Sequence, residues 1–219
     1  MCGRYVLGIS PEELADFFEL SEIRLSYQPR FNVAPTTLIP VIRRGESGVR
    51  EAVEMRWGLI PSRVRPGERL PLMINARAET VATRTAYREA FARRRCIVPA
   101  SGYYEWQKSP SGVSQPFLIT RKDNQPMALA GIWEFARGQA STAIITTQAA
   151  EVVRSIHDRM PATVAAGDWR RWLEPVPLPS EESKRILAPH AQDSLRALPV
   201  STRVNNARND DSSLIEPVP

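Results

Sequence analysis

The sequence predicts an α+β fold in which short helices surround a curled, mostly antiparallel sheet. Strand-like runs are short and follow one another along the chain, with helices grouped around them rather than alternating with them. The 19 prolines are spread over the chain and favour many short elements over long helices. With 219 residues, no internal repeat and no long linker, the chain is expected to form one domain over residues 1–219.

Five helices are predicted, and the first has the clearest signal. Ser10 is expected to cap it, with Pro11 in the first helical position and Glu13 completing a capping box. The remaining predictions are helices near 85–94 and over 149–156, one capped by Asp168 and one capped by Ser180.

Six runs of apolar, β-branched and aromatic residues are typical of strands. They cover residues 38–42, 96–98, 102–107, 117–120, 127–133 and 142–147. Residues 109–112, Ser-Pro-Ser-Gly, predict a hairpin turn between two of these runs.

Composition is that of an ordinary soluble protein, with 42% hydrophobic and 24% charged residues. No apolar run approaches the roughly 18 residues of a membrane span, and the start lacks the features of a signal peptide. The expected compartment is therefore the cytoplasm, or the nucleus in a eukaryote. Net charge is +5, and 26 of the 29 Lys and Arg residues are Arg. Arg binds phosphate with two parallel hydrogen bonds and stacks on flat rings, which favours a nucleic-acid partner, although a GC-rich genome also enriches Arg.

Two cysteines, Cys2 and Cys96, cannot form a disulfide framework or a zinc site, which needs three or four ligands. Cys96 lies in an apolar run and is expected to be a core thiol. The sequence also lacks a Gly-rich phosphate loop, a metal-ligand cluster and a nucleotide-binding fingerprint. Any catalysis is therefore expected to need no cofactor and no metal.

Cys2 is of interest because of its position. Removal of Met1 before a small residue would leave an α-amine and a thiol on Cys2. A free α-amine has a pKa of about 7.7–8.0, so roughly a quarter is unprotonated at physiological pH, against about a thousandth of a lysine amine. That amine can attack an aldehyde, and the thiol can then close a five-membered thiazolidine ring. Alternatively, a cysteine at position 2 is incidental.

Three further segments contain candidate functional residues. Asn75 can donate and accept hydrogen bonds to a sugar, and Arg77 projects to the same side of an extended segment, unless these residues form a polar turn. Glu105 lies among aromatic residues, which favours a raised pKa and proton transfer, and Trp106 offers a surface on which a base can stack. The alternative is an ordinary strand with a solvated Glu. His157 lies in a Pro-terminated loop and is either catalytic or a capping or surface residue.

His190 has no acidic or basic neighbour of the kind that flanks His157, and we expect it to be incidental.

Taken together, several segments resemble the SOS-response-associated peptidase (SRAP) family, the shield proteins of abasic DNA. The blocks occur in the family's order and span almost the whole chain. They are CGRY at 2–5, RFNVAPT at 30–36, RWGLIP at 56–61, NARAET at 75–80, GYYEW at 102–106, HDRMP at 157–161, and PVS at 199–201 with VNN at 204–206.

The resemblance implies a barrel-like curled sheet with a basic groove for single-stranded DNA, or for its junction with duplex. It implies Cys2 as the nucleophile, with Asn75, Glu105 and His157 around the abasic sugar. The implied DNA contacts are Gly3, Arg4, Asn32, Arg77, Trp106 and Arg159. We further expect a monomer that binds no membrane and associates with the nucleoid when on DNA.

One departure from the family pattern concerns loop 62–70. Many relatives have a Trp shortly after the block at 56–61, whereas here Arg63 follows Ser62. Arg63, Arg65 and Arg69 are therefore expected to hold the DNA backbone by charge.

The resemblance implies a covalent reaction used in DNA repair. Glu105 would assist opening of the abasic sugar, the Cys2 amine would form a Schiff base with its aldehyde, and the thiol would close the thiazolidine. Elimination from the Schiff base would give a weak lyase activity. Two alternatives stay open: an N-terminal-nucleophile peptidase that uses Cys2, Glu105 and His157, and a non-covalent single-strand binder.

Overall fold

Two β-sheets and five short α-helices form the framework of the part of the chain that the structure describes. The computed structural model describes residues 2–64, 71–108, 112, 114–189 and 194–218. The strands are β1 Tyr5–Leu7, β2 Arg30–Val33, β3 Leu38–Arg44, β4 Arg50–Trp57, β5 Asn75–Arg77, β6 Arg95–Ala100, β7 Gly102–Lys108, β8 Ser114–Arg121, β9 Met127–Ala136, β10 Gln139–Gln148, β11 Arg159–Pro161 and β12 Leu195–Pro199. The helices are α1 Pro11–Phe17, α2 Arg88–Arg93, α3 Glu151–Arg154, α4 Trp169–Leu173 and α5 Ser180–Leu187.

The first sheet has the order β12-β8-β7-β1-β2, and all its neighbours are antiparallel. The second has the order β11-β10-β4-β3-β6-β9, and β9 also pairs with β10, which curls the sheet back on itself. Strand β10 pairs in parallel with β4 and β5. The predicted α+β class with a curled, mostly antiparallel sheet is therefore confirmed.

The two sheets share a hydrophobic core, which fixes their relative position. Tyr5 and Tyr103 of the first sheet pack in one cluster with Trp57, Cys96 and Ile144 of the second. Each of these side chains is almost completely buried. Cys96 is thus confirmed as a core thiol.

Gly102 shows why β7 begins as it does. A Cβ atom at this position would lie 2.8 Å from the carbonyl oxygen of Ile119, closer than side-chain carbons approach backbone oxygens. Glycine is therefore required where β7 meets β8, and the register of the residues that follow depends on it.

The helix predictions are confirmed in place and partly wrong in detail. The Ser10 hydroxyl accepts from Glu13 N–H, and the Glu13 carboxylate accepts from Ser10 N–H, so the capping box is present. The third helix, α3, is shorter than predicted. Asp168 makes no side-chain cap, because its carboxylate binds Arg185 instead. Ser180 is the first residue of α5 and not its cap.

All six predicted strands are present, as β3 and β6–β10. The sequence did not predict the other six. Residues 109–111 of the predicted turn lie outside the described part of the chain, but the strands on either side, β7 and β8, pair antiparallel with Lys108 opposite Ser114. No helix in the described ranges is both long and apolar enough to span a membrane.

Candidate active site

Cys2 reaches the site through the pairing of β1 with β7. Tyr5 lies opposite Tyr103, and the N–H of Tyr104 donates to the carbonyl oxygen of Arg4 at 3.0 Å. Continuing this antiparallel register backwards places Gly3 opposite Glu105, so Cys2 lies one residue beyond this pair. The first sheet therefore supplies both the sulfur and the carboxylate.

The Cys2 side chain is fully buried, and its Sγ lies 3.8 Å from the carbonyl oxygen of Arg4. Burial raises the pKa of the Cys2 thiol, and the negative charge of Glu105 raises it further. Burial likewise raises the pKa of Tyr103, with added contributions from Cys2 and Glu105. The thiol is thus held in its neutral form between these two side chains.

Glu105 is 2% exposed. Burial raises the pKa of its carboxyl from 4.5 to about 7, even though the positive amino terminus of the chain acts in the opposite direction. A carboxyl with this pKa is populated in both protonation states near neutral pH. It can therefore donate a proton and accept one in successive steps.

Asn75 comes from the second sheet and contacts Cys2 directly. Its position is fixed because β5 pairs with β10, placing Asn75 opposite Ile144. The Asn75 Nδ2 atom donates to the carbonyl oxygen of Cys2 at 2.8 Å, and the hydroxyl of Tyr87 donates to the Asn75 carbonyl. The Asn75 Oδ1 atom is buried with no hydrogen-bond partner among the described residues. Asn75 of the second sheet is thus hydrogen-bonded to Cys2, and its Oδ1 atom remains available to accept a hydrogen bond.

His157 precedes β11, which pairs with the end of β10. The His157 Nδ1 atom accepts from the backbone N–H of Arg159 at 2.9 Å and lies 3.0 Å from Asp158 Oδ1. Burial lowers the pKa of the imidazole, and the positive amino terminus lowers it further. A neutral ring that accepts at Nδ1 carries its proton on Nε2. His157 is therefore a hydrogen-bond donor through Nε2.

A polar cleft of about 450 Å³ lies beside these residues. Its lining residues are Arg77, Gln148, Ala149, Arg154, Asp158 and Arg159. The pairing of β5 and β11 with β10 places Arg77 opposite Thr146 and Arg159 opposite Gln148. Three guanidinium groups therefore line one cleft, close in the chain to Asn75 and His157.

The predicted DNA contacts Arg77 and Arg159 differ in their surroundings. Arg77 is exposed. Arg159 is 9% exposed, and it binds both carboxylate oxygens of Glu79, at 2.6 and 2.9 Å, and the carbonyl oxygen of Thr146. Arg159 therefore reaches the cleft from a fixed position with its charge already paired.

The predicted contacts Arg4, Asn32 and Trp106 all bind one segment near residue 205. Arg4 donates to Val204 O, Asn32 donates to three backbone carbonyls, and the indole N–H of Trp106 donates to Asn205 Oδ1 at 2.7 Å. Asn32 is fully buried, so its predicted contact with DNA would require this segment to move. Gly3 is partly buried between Cys2 and Arg4.

Arg63 is exposed, 4.0 Å from Glu89. Residues 65–70 of the predicted DNA-binding loop, and His190, lie outside the described residues.

Several residues at the site were not predicted from the sequence. Arg154 and Gln148 line the cleft, Tyr103 lies against Cys2 and Glu105, and Gln107 Nε2 donates to Ser155 O at 2.9 Å, joining β7 to the end of α3. The strand alternation that groups Tyr103 with Glu105 was a usable signal for Tyr103. In the described ranges no three His, Cys, Asp or Glu side chains lie close enough to hold a metal ion.

Comparison with known proteins shows which family the chain resembles in sequence. The family model described as SOS response associated peptidase (SRAP) matches residues 1–207. The chain is 34% identical to the abasic site processing protein YoaM of Bacillus subtilis, over 99% of this chain and 98% of that protein. It is 33% identical to the abasic site processing protein YedK of Escherichia coli over the full length of both chains. It is 29% identical to the abasic site processing protein HMCES of Gallus gallus, over 88% of this chain and 67% of that protein.

Solved structures agree with this assignment at the level of fold. A crystal structure of a Bacteroides thetaiotaomicron protein superposes with a TM-score of 0.85 at 24% identity, covering 99% of this chain and 100% of the other. A Bordetella bronchiseptica protein superposes with a TM-score of 0.77 at 28% identity, covering 91% and 100%. With a family model that spans nearly the whole sequence and relatives above 30% identity over their full length, the chain belongs to the SOS response associated peptidase (SRAP) family.

Proposed function

We propose that this protein processes abasic sites in single-stranded DNA by capturing them covalently on Cys2, once Met1 has been removed. The observation that carries the proposal is the convergence of Cys2 with Asn75 and with Glu105, a carboxyl whose pKa is about 7. The names of its relatives, abasic site processing proteins, support the same substrate.

The reaction balances without a cofactor. The unprotonated Cys2 amine adds to the aldehyde of the ring-opened sugar, and the resulting carbinolamine loses one water to form a Schiff base. The Cys2 thiol then adds to the imine carbon while its proton passes to the imine nitrogen, closing the thiazolidine. The neutral thiol that burial favours already carries this proton.

Glu105 is suited to the proton transfers because both of its forms are populated near neutral pH. As the acid it protonates the carbinolamine hydroxyl, which then leaves as water, and as the base it accepts a proton from the attacking amine. His157, which donates through Nε2, and Asn75, whose Oδ1 is an available acceptor, are suited to orient the sugar hydroxyls. Slow elimination from the Schiff base competes with ring closure and gives the weak lyase activity.

The cleft beside the site accounts for strand binding in this proposal. Arg77 and Arg154 are exposed in it, and Arg159 borders it. Contacts between guanidinium groups and phosphates are independent of base sequence, as a site that must accept damage in any context requires. Trp106 is the proposed stacking surface where the strand continues.

The proposal is tested by mixing the protein with an oligonucleotide that contains one abasic site and running a denaturing gel. Wild type should migrate as a heat-stable adduct without reduction. Cys2→Ala retains an α-amine but has no thiol, so it should form an imine that is trapped by borohydride and lost on heating otherwise. Cys96→Ala, which removes the other thiol from the core, is the matched control and should react like wild type.

Three results would contradict the proposal. A heat-stable unreduced adduct of Cys2→Ala would place the bond on another residue. Intact-mass measurement showing retained Met1, or a blocked amine, would remove the reactive group. No adduct with wild type, with peptide cleavage or reversible DNA binding instead, would favour the peptidase or the non-covalent alternative.

A further inference from the structure

We propose that Asn32 and Asp210 are positioning residues for Cys2, acting through Arg4. The C-terminal segment 200–218 folds over β1 and β2, and these two residues connect it to the start of the chain. This inference rests on the proposed function, because it concerns the same nucleophile. It assigns Arg4 and Asn32 a role different from contact with DNA.

Asp210 fixes the segment against the edge of the first sheet. Its Oδ1 atom accepts from the backbone N–H groups of Phe31 and Asn32, at 2.6 and 2.7 Å, and its Oδ2 atom accepts from Arg30 Nε at 3.2 Å. Among the described strands, β2 is the outermost of that sheet, so these N–H groups have no further strand there to pair with. The Asp210 carboxylate therefore accepts the two hydrogen bonds that a neighbouring strand would otherwise accept.

Asn32 is the centre of the arrangement. Its side chain is fully buried, and its Nδ2 atom donates to the carbonyl oxygens of Val204, Asn206 and Asn209, at 3.2, 3.1 and 2.7 Å. Its Oδ1 atom accepts from Arg4 NH1 at 2.8 Å. A buried amide with every polar atom engaged fixes its partners in one geometry.

Arg4 transmits this position to Cys2. Its NH1 atom donates to Asn32 Oδ1 and to Val204 O, at 2.8 and 3.0 Å, while its carbonyl oxygen accepts from Tyr104 N–H and lies 3.8 Å from Cys2 Sγ. Arg4 is thus held on its side chain by the C-terminal segment and on its backbone by β7. The residue two positions before it carries the thiol.

The chemistry needs such a device because the first residues of a chain ordinarily fray. Schiff-base formation and ring closure each require the Cys2 amine or thiol at a defined distance from the sugar and from Glu105. A misplacement of about 1 Å can lower a rate about a hundredfold. Anchoring Arg4 from both sides removes this freedom without placing any group on the substrate.

The test separates positioning from DNA binding by comparing Asn32→Ala and Asp210→Ala with wild type. Glu216→Gln, an exposed carboxylate in the same segment, is the matched control. The readouts are the affinity for an intact single strand, the single-turnover rate of adduct formation at saturating abasic DNA, and the rate with free glyoxylate. Glyoxylate is an aldehyde that reaches the amine without using the cleft.

For both test variants we expect unchanged affinity for the intact strand. The rate with glyoxylate should fall less than the rate with abasic DNA, because glyoxylate has no sugar to align but still depends on Glu105. The adduct rate at saturation should fall about tenfold or more, since only the alignment of the nucleophile is altered. Thermal unfolding establishes that each variant is folded at the assay temperature. If Asn32→Ala is unfolded at that temperature, Asp210→Asn, in which the side chain has nearly the same shape as in wild type, is used in its place. The same result is expected: a lower adduct rate with unchanged affinity for the intact strand.

Two outcomes would overturn the inference. Weaker binding of the intact strand with an unchanged rate at saturation would make these residues part of the DNA contact surface. No change in either quantity would make the segment irrelevant to Cys2. Absence of an adduct with wild type would instead refute the proposed function, and the inference with it.

Discussion

Glu105 is almost completely buried, and this has a measurable consequence for stability. Its pKa is about 7 in the folded chain, against an ordinary value of 4.5. Between these pH values the folded state retains the proton and the unfolded state releases it. The free energy of unfolding therefore falls as the pH rises through this window, by about 1.4 kcal/mol per unit of pKa difference and up to about 3 kcal/mol in all.

Glu105→Gln should remove this dependence. Relative to wild type, the variant should gain up to about 3 kcal/mol as the pH rises from about 4.5 to about 8, with little difference at the acid end. Urea unfolding at several pH values measures this. Glu134→Gln is the control, because Glu134 is equally buried but its charge is compensated by Arg94 at 2.7 Å. A Glu105→Gln curve parallel to wild type would contradict the burial argument.

The same substitution should slow formation of the adduct. Glutamine cannot transfer a proton, whereas Cys2 remains intact, so the finished thiazolidine should be as stable as in wild type.

Arg77 and Trp106 should make separable contributions to strand binding. Arg77→Ala should lower the slope of log Kd against log salt by about 0.7, the contribution of one phosphate on a single strand. Trp106→Ala should cost about 1–3 kcal/mol if a base stacks on the indole. Trp106→Phe retains a stacking ring but lacks the N–H that binds Asn205, so it distinguishes stacking from anchorage of the segment. Unchanged binding in Arg77→Ala and Trp106→Ala would mean that DNA lies on another surface.

At the scale of elements, Arg95 joins two helices to the second sheet. Its guanidinium is buried at the start of β6 and donates to Phe91 O and Ala92 O of α2. It also donates to Trp172 O, Glu174 O and Val176 O, at and beyond the end of α4. The last carbonyl groups of a helix have no partner within it, so one side chain satisfies two helix ends.

Replacement of Arg95 by Met should destabilise the protein by about 3 kcal/mol or more, because the five carbonyl oxygens would all be left without their donor. Arg95→Lys should not rescue it, since an ammonium concentrates its donors on one nitrogen. Urea unfolding compares both with Arg93→Met, an exposed position in α2. A destabilisation no larger than that of Arg93→Met would show that water replaces the guanidinium without cost.

The helices and strands that could be predicted from the sequence are those whose formation depends on residues close together in the chain. The capping box at Ser10 involves residues three apart, β9 begins with a continuous apolar run, and β10 contains a run of Thr, Ala and Ile residues typical of strands. Strands β1, β5 and β11 have three residues each, too short to show alternation, and they exist because their partners are already in place. The cap predicted at Asp168 failed for the same reason, since Arg185 reaches it from another helix.

The residues of the candidate site also divide into those that local sequence could predict and those that depend on distant parts of the chain. The chemical types of Cys2, Glu105 and His157 could be judged from the sequence, and Glu105 could be expected among aromatics. The full burial of Asn32 could not be predicted, because it depends on carbonyl groups more than 170 positions away. Arg154 gave no signal in the sequence, since its role depends on the cleft that β5 and β11 form with β10.

At the scale of the whole molecule, β10 separates two surfaces that could attract DNA. Near its end, Arg77 and Arg159 lie opposite Thr146 and Gln148. Near its start, Trp133 lies opposite Thr142 and carries the guanidinium of Arg43 at 4.9 Å from its ring. Thr142 and Gln148 are six residue steps apart along the strand, about 20 Å. Arg–aromatic surfaces of this kind also bind single strands, so the two surfaces compete as explanations.

Hydrogen exchange of the protein, with and without an abasic oligonucleotide, should locate the DNA on the first of these surfaces. We expect slower exchange in β5, in β7 and in the stretch 154–161, because the cleft and Cys2 lie there. The stretch 43–50 and helix α4 should be unchanged. An intact oligonucleotide of the same length should protect the cleft weakly and reversibly. With the abasic oligonucleotide, protection should be independent of salt, because salt screens ion pairs but does not weaken a covalent bond. Protection at 43–50 in place of the cleft would move the DNA to the Trp133 surface and leave Cys2 out of its reach.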